Sequence, residues 1–522
     1  MAPISPFDPA HRMRTALRGG QVSAAELLEL HVRRIEALDG PLNAVVTRDV
    51  ERARRAAAAA DARRGRVAPR DGGAALLGLP LTVKDSIDVA GLRCTGGALR
   101  HAERVAPADA PAVARLRAAG AVVMGKTNLS PWTCGWHAEN RVFGHTSNPW
   151  DPARTPGGSS GGAAAALAAG LTPLELGSDA GGSIRVPAAF CGVYGHVPSY
   201  SAVPRSGHLP GGPLPNPAAA VFVQGPLARS AEDLELALDV VAGPEAGEDV
   251  AWRLALPPAR HARLGAFRVA VLRPLPQAPL DDAVGGALAD TAAALARAGA
   301  RVAEVAAEAI LGDLHDFYQL FWTLVWPVWA QAAAPDPDAD AADRRRLLEV
   351  KRAESAGSGY EYARGLTGNG TAFLDAHAAR ERYRAAFRRF FADWDVLLAP
   401  VAQVLAPPHA AARTIDLHAY PVLVTVTGQP ATAFPAGVAA SGLPVGLQAI
   451  GPYLEDRTPL RFAALLADVR GGFRPPPGLG APPPGPDVPE TDGPTARAAR
   501  GDRPTTDERR ATGEREPRDV SR

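Results

Sequence analysis

Lysine is what this chain does almost without. Of its 56 basic residues only Lys84, Lys126 and Lys351 are lysine, and the rest are arginine. Arginine keeps its charge everywhere, whereas a buried lysine can give up its proton. The lysine in PLTVKDSIDVA (residues 80–90), set directly after an apolar run, is therefore a candidate for a switchable charge. Cysteine is scarce too: Cys94, Cys134 and Cys191 form no CxxC pair, which argues against a disulfide framework and for a reducing compartment. No apolar run reaches 18 residues, so no membrane span is expected. The start, MAPISPFDPAHRMR, lacks the basic-then-apolar order of a signal peptide. With 56 basic against 55 acidic residues the net charge is +1, which gives no reason to expect a nucleic acid or an acidic membrane as partner. These absences lead to the expectation of a cytoplasmic protein, monomer or homodimer, with neither nucleic acid nor membrane as partner.

What is present reads as a large α/β unit. Ser23-Ala-Ala-Glu26 fits a capping box, and Leu28, Val32, Ile35 and Leu38 follow at helical spacing. A second helix is predicted over 49–64. From residue 78 short apolar runs (LPLTV, AVVM, PLELG) alternate with helices predicted at 111–119 and 162–169. The same alternation returns in FRVAVL, a helix near 284–298, ARVAEV, DVLLAPV and VGLQAIG. No internal repeat or linker divides these stretches. The expectation is one domain, residues 1–472, with a central mixed β-sheet covered by helices. Residues 473–522, rich in proline, glycine and mixed charge, bury too little surface to offset their ordering entropy and are expected to be a disordered tail.

Three motifs compete for the chemistry. Gly120-AVVM-Gly125-Lys126-Thr127 matches the phosphate-loop pattern, but its interior is a strand-like run and no helix follows, so the required context is missing. Ser159 and Ser160 in GGSSGG (157–162) both satisfy the nucleophile elbow GxSxG, but PWDPARTP stands where a strand should precede it. No histidine announces itself as the base of a Ser-His-Asp esterase. Third, GSDAGGSIRVP (177–187) sets two glycines ahead of Ser183, so that several N–H groups can share one concavity, as an oxyanion hole requires. An ordinary glycine turn would explain that stretch equally well.

Taken together, GLPLTVKDSIDVAG, GAVVMGKTNLS, the long FGHTSNPWDPARTPGGSSGGAAAALAAGLTPLELGSDAGGSIRVPAAFCGVYG and the late GLPVGLQAIGPYLEDRT resemble the amidase signature family of serine hydrolases. The resemblance implies a Ser-cisSer-Lys triad, with Lys84 as the lysine, Ser159 as the bridging serine in a cis peptide, and Ser183 as the nucleophile. It implies an oxyanion hole of the Ala180, Gly181, Gly182 and Ser183 amides, supporting roles for Ser160, Asp179 and Arg185, and a substrate channel touching Thr133 and Gly135. It calls for no metal or cofactor. Two departures stand out: Ala180 where threonine is frequent, and Gly195-His-Val-Pro198 where family members commonly read GLKP or GHKP.

The implied chemistry is sound in itself. A serine hydroxyl is a poor nucleophile until a base takes its proton. Ser159 would take it and pass its own to a neutral Lys84, and arginine could not serve. The activity expected is hydrolysis of a small carboxamide through an acyl-enzyme. The alternative is the glutaminase subunit of a tRNA-dependent amidotransferase, against which SPWTCGWHAENRVFG (130–144) speaks, favouring a stand-alone enzyme. Six aromatics crowd residues 315–330, and helical spacing makes them core, unless Phe321, Trp322 or Trp326 shape an acyl pocket. Cys191 reads as a small packing residue.

Overall fold

The computed structural model describes residues 3–64, 74–210, 221–332 and 370–480. Residues up to Ala481 form one compact unit built on an eleven-stranded sheet. Its strands are β1 (Val45–Arg48), β2 (Pro80–Lys84), β3 (Val122–Thr127), β6 (Leu174–Asp179), β7 (Tyr194–Val197), β8 (Val223–Ala228), β9 (Arg268–Leu272), β10 (Arg301–Val305), β11 (Val396–Pro400), β12 (Ala431–Val438) and β13 (Pro444–Ile450). A separate two-stranded ribbon is made by β4 (Glu139–Asn140) and β5 (Gly144–His145). The order across the sheet is β1-β3-β2-β6-β8-β7-β12-β13-β11-β9-β10. The β3–β2–β6 and β11–β9–β10 groups are parallel and the central strands antiparallel, so the sheet is mixed, as expected.

Local sequence explains the elements that frame the site. Ser23 caps helix α2 (Ala24–Leu42) through the anticipated box, its side chain accepting from Glu26 N while Glu26 accepts from Ser23 N at 2.8 Å. Leu28, Val32 and Ile35 then point inward. Strands β2, β3 and β6 are buried along their whole length, as parallel strands covered on both faces are. The short helix α5 (Gly161–Ala168) is buried at every residue, and alanine side chains let it lie close to its neighbours. At Gly162 a Cβ would sit 2.4 Å from Asn128 N, so the start of α5 admits no side chain there.

Of the expected tail, residues 473–480 lie in the described part, where Phe473 stacks on Phe7 at 6.2 Å and Leu479 O accepts from Arg34 Nη2 at 2.6 Å. The remainder, 481–522, lies outside the described residues. Among the described residues no helix is long and apolar enough to cross a membrane.

Candidate active site

The carboxyl ends of parallel strands β2 and β6 deliver the first groups, the usual place for a site in such sheets. Lys84 is the last residue of β2, and Ser178 and Asp179 are the last two of β6. The chain leaving β6 forms the Ala180–Ile184 turn and enters helix α6 (Arg185–Cys191). Opposite it, residues 157–160 run directly into α5. The Gly158–Ser159 peptide is cis. Gly158 has room for no side chain, since a Cβ would lie 2.3 Å from His137 O and 2.6 Å from Gly135 O.

Lys84 Nζ lies 2.6 Å from Ser159 Oγ and 3.0 Å from Ser178 Oγ, with Ser178 O at 3.4 Å. Lys84 and Ser159 are fully buried, and Ser183 keeps 7% of its surface exposed. Burial brings the Lys84 amine from 10.5 down to about 7, opposed by the negative charges of Asp179 and Glu175. The two serine segments are tied through their backbones, Ser160 N donating to Ser183 O at 3.1 Å. Ser160 Oγ donates to Ser178 O at 3.3 Å, so this residue binds the two loops together.

Asp179 organises the turn that carries Ser183. Its Oδ1 accepts from Gly182 N at 2.7 Å, and its Oδ2 from Ile184 N at 3.0 Å and Arg185 Nε at 3.1 Å. Burial alone would raise its pKa, but the Arg185 guanidinium and these amides hold it below the usual carboxylate range. Arg185 Nη1 in turn donates to Pro421 O and to Gln448 Oε1, each at 2.9 Å. The Gly182 amide is thus drawn toward Asp179, while Gly182 itself takes φ +115° in a space closed by Pro421 and Trp136. A side chain at 182 would be strained and crowded together.

The wall beside the Ala180–Ile184 turn is aromatic. A Cβ at Gly181 would stand 3.2 Å from Phe321 and 3.4 Å from His418. The His418 ring packs on Trp322 at 4.5 Å, Trp136 at 4.8 Å and Phe321 at 5.5 Å, and its Nδ1 lies 2.8 Å from Asp416 Oδ1. The helix Leu314–Ala332 therefore serves as core and as wall at once, while the Trp326 side chain lies outside the described residues. Thr133 and Gly135 belong to the loop beneath Gly158, with φ +59° and +114°. Among the described residues, Thr133 Oγ1 and Trp136 Nε1 are buried polar atoms without a hydrogen-bond partner.

The two rival motifs resolve physically. Gly125, Lys126 and Thr127 are strand residues, and the buried Lys126 faces Asp85 Oδ1 at 3.5 Å and Arg93 O at 3.3 Å. A lysine so engaged inside a sheet cradles no phosphate. GGSSGG follows a stretch without a strand, so it makes no strand–turn–helix elbow. Cys191 is buried, and burial raises its thiol pKa.

Three residues of the site escaped the sequence reading. Ser178 contacts Lys84 directly. Glu175 accepts from Thr82 Oγ1, and from Thr127 Oγ1 at 2.7 Å, and burial lifts its pKa to about 8. A charged residue inside the apolar PLELG run was a signal available for it. His208 Nε2 lies 2.9 Å from Ser178 Oγ, and no local pattern marks it.

Fold and site together define a hydrolase-type scaffold in which a buried lysine and two serine loops meet at the carboxyl ends of parallel strands. A family model described as Amidase matches residues 26–460, and the chain belongs to that family, the amidase signature enzymes, which act on C–N bonds. Among curated relatives, a subunit of the glutamyl-tRNA(Gln) amidotransferase of Thermus thermophilus is 37% identical over 88% of this chain and 97% of its own length. The same subunit of the Deinococcus radiodurans enzyme is 34% identical over 89% and 98%. Among solved structures, 6-aminohexanoate cyclic dimer hydrolase in complex with substrate superposes with a TM-score of 0.76 at 28% identity, covering 92% of this chain and all of that one. The peptide amidase from Stenotrophomonas maltophilia gives 0.71 at 27% identity, covering 90% and 98%.

These relatives correct one expectation. The partner reading from composition, with no nucleic acid and a monomer or homodimer, is overturned by full-length relatives named as subunits of an enzyme whose name carries a tRNA. Net charge averages over the whole surface and is blind to a nucleic acid brought by an assembly.

Proposed function

We propose that the chain cleaves a carboxamide through an acyl-enzyme on Ser183, as the amide-hydrolysing subunit of a tRNA-dependent amidotransferase working in the cytoplasm. The observation that carries the chemistry is the fully buried Lys84 amine 2.6 Å from Ser159 Oγ, with its pKa brought down to about 7. In this reading Ser183 Oγ attacks the amide carbonyl, its proton passes to Ser159, and the Ser159 proton passes to Lys84. The amides of Ala180, Gly181 and Ser183 receive the oxyanion, with Gly182 shared toward Asp179. Collapse breaks the C–N bond, and the leaving nitrogen takes a proton from Ser159, which Lys84 replenishes. Water then repeats the attack and frees the acid. Ser160, Asp179 and Arg185 hold the two loops, and Thr133 and Gly135 flank the entering substrate.

The subunit half of the proposal rests on the names of the relatives and on how fully the chain spans them. The aromatic wall of Phe321, Trp322, Trp136 and His418 favours a second reading, an amidase for flat apolar acyl groups. Ammonia release from L-glutamine and from benzamide separates them. Turnover of glutamine, lost in Ser183→Ala, supports the first, and a clear preference for benzamide supports the second. Activity that Ser183→Ala keeps in full would remove both.

A further inference from the structure

Behind Lys84 the hydrogen-bonded chain continues, and its direction matters. A neutral lysine has two N–H bonds and one lone pair. For the relay of the proposed function, on which this inference rests, the lone pair must face Ser159. The two N–H bonds are then left for Ser178 Oγ at 3.0 Å and Ser178 O at 3.4 Å. A Ser178 hydroxyl that accepts from Lys84 must place its own proton elsewhere, and His208 Nε2 stands 2.9 Å away. We propose that His208 is a positioning residue: it accepts the Ser178 hydroxyl proton, keeps that hydroxyl turned away from Lys84, and so leaves the lysine lone pair free for Ser159.

Three observations support this. His208 is placed by the same segment that carries Lys84, because Asp88 N donates to Gly207 O at 2.8 Å and Leu209 N to Ser86 O at 2.9 Å. Its Nδ1 meets no partner among the described residues, so Ser178 Oγ is the contact through which the ring acts, and the relay's need for a free lysine lone pair assigns the tautomer. Burial, helped by the Lys84 charge, lowers its pKa to about 3, so the ring stays neutral and able to accept. The opposite tautomer would donate to Ser178 and free the Ser178 proton to cap the Lys84 lone pair, stopping the relay.

The test is the rate at which a long-chain alkyl fluorophosphonate modifies Ser183 in the full chain, followed by mass spectrometry across pH. In that reaction the Ser183 Oγ–P bond forms, fluoride leaves, and the hydroxyl proton passes through Ser159 to Lys84. Wild type is expected to rise with pH through about 7 and then level, following neutral Lys84. The acidic groups facing Lys84, Asp179 and Glu175 from β6, are untouched by the variants, and Glu175, raised to about 8, contributes the same titration to every profile. In His208→Phe the freed Ser178 hydroxyl caps the lone pair. The plateau then falls about tenfold, roughly the worth of one hydrogen bond between neutral groups. The limb moves to lower pH, since a capped lone pair favours the neutral amine.

Loosened packing would do the reverse: water would enter and carry the limb upward, toward 10.5. A limb that moves up therefore overturns the proposal. His208→Gln, whose Oε1 can accept in place of Nε2, is expected to recover the plateau to within about threefold and to restore the limb. Failure of that rescue while both variants melt as wild type does also overturns it. If the phenyl ring prevents folding, His208→Leu makes the same comparison. Adding His208→Phe to Ser178→Ala should cost nothing further, because the histidine acts through that hydroxyl. Labelling that persists in Ser183→Ala removes the underlying reading; Ser183-specific labelling that His208→Phe leaves unchanged removes only the role of His208.

Discussion

Lys84 is fully buried and its pKa is shifted from 10.5 to about 7, so the folded chain bears the cost of that shift. Between those two values the unfolded chain holds a proton that the folded chain has released, and stability rises with pH across the window. Below about 7 both states are protonated and the full penalty is present. Lys84→Met should therefore be inactive yet more stable than wild type at pH 6. The gain is on the order of 2–4 kcal/mol once the hydroxyls left without a partner are discounted. It should fade as pH approaches 10, as paired urea titrations would show. A variant less stable than wild type at pH 6 would contradict the buried-amine account. Lys84→Arg should remain folded and lose nearly all turnover, since its guanidinium stays charged. Lys84, Ser159 and Ser183 were legible in the sequence because long motifs carried them. Glu175, Ser178 and His208 were not, because their roles arise from contacts across 93, 94 and 30 positions of chain.

Among the elements, strands β2, β6, β9 and β11 were readable from the short apolar runs in their text, and β1, β7, β8 and β12 were not. The reasons are local. Strand β8 carries Gly225 and Pro226, and β12 carries Pro435 beside a bulge before Gly437, residues that weigh against a strand until neighbours supply the pairing. Strand β7 is YGHV, four residues without alternation. Helix α5 was readable as a helix, yet nothing in an alanine run says that it is buried all round. Its burial makes a definite prediction. Gly162→Ala would push a methyl to 2.4 Å from Asn128 N and 2.8 Å from Ala44 O, both backbone atoms that cannot swing aside. Loss of about 2 kcal/mol or more is expected from such overpacking, read as a fall in melting temperature. Activity should fall with it, since α5 begins one residue after Ser160.

Taken whole, the molecule joins a chemical floor to a wall of separate origin. The floor is Lys84, the two serine loops and Asp179–Arg185, which the apolar strands fix in place. The wall comes from far along the chain, from the helix Leu314–Ala332 and the loop carrying His418, regions where sequence alone offered two readings of the aromatics. The assembly proposal belongs to this scale. Co-expressed with the tRNA-binding subunit of such an amidotransferase, the chain is expected to co-elute in gel filtration and to release ammonia from glutamine several-fold faster. A chain that stays separate and unstimulated would leave the apolar-amide reading in its place.

Finally, the burial of Lys84 and Lys126 has a practical side, since each has no exposed surface and Lys351 lies outside the described residues. Amine-directed reagents such as succinimidyl esters, crosslinkers or bead chemistries will find neither Lys84 nor Lys126 while the chain is folded. Both become reactive when it opens. The protein thus carries a built-in chemical gauge of its own unfolding, in which dye uptake at two known positions reports loss of the core.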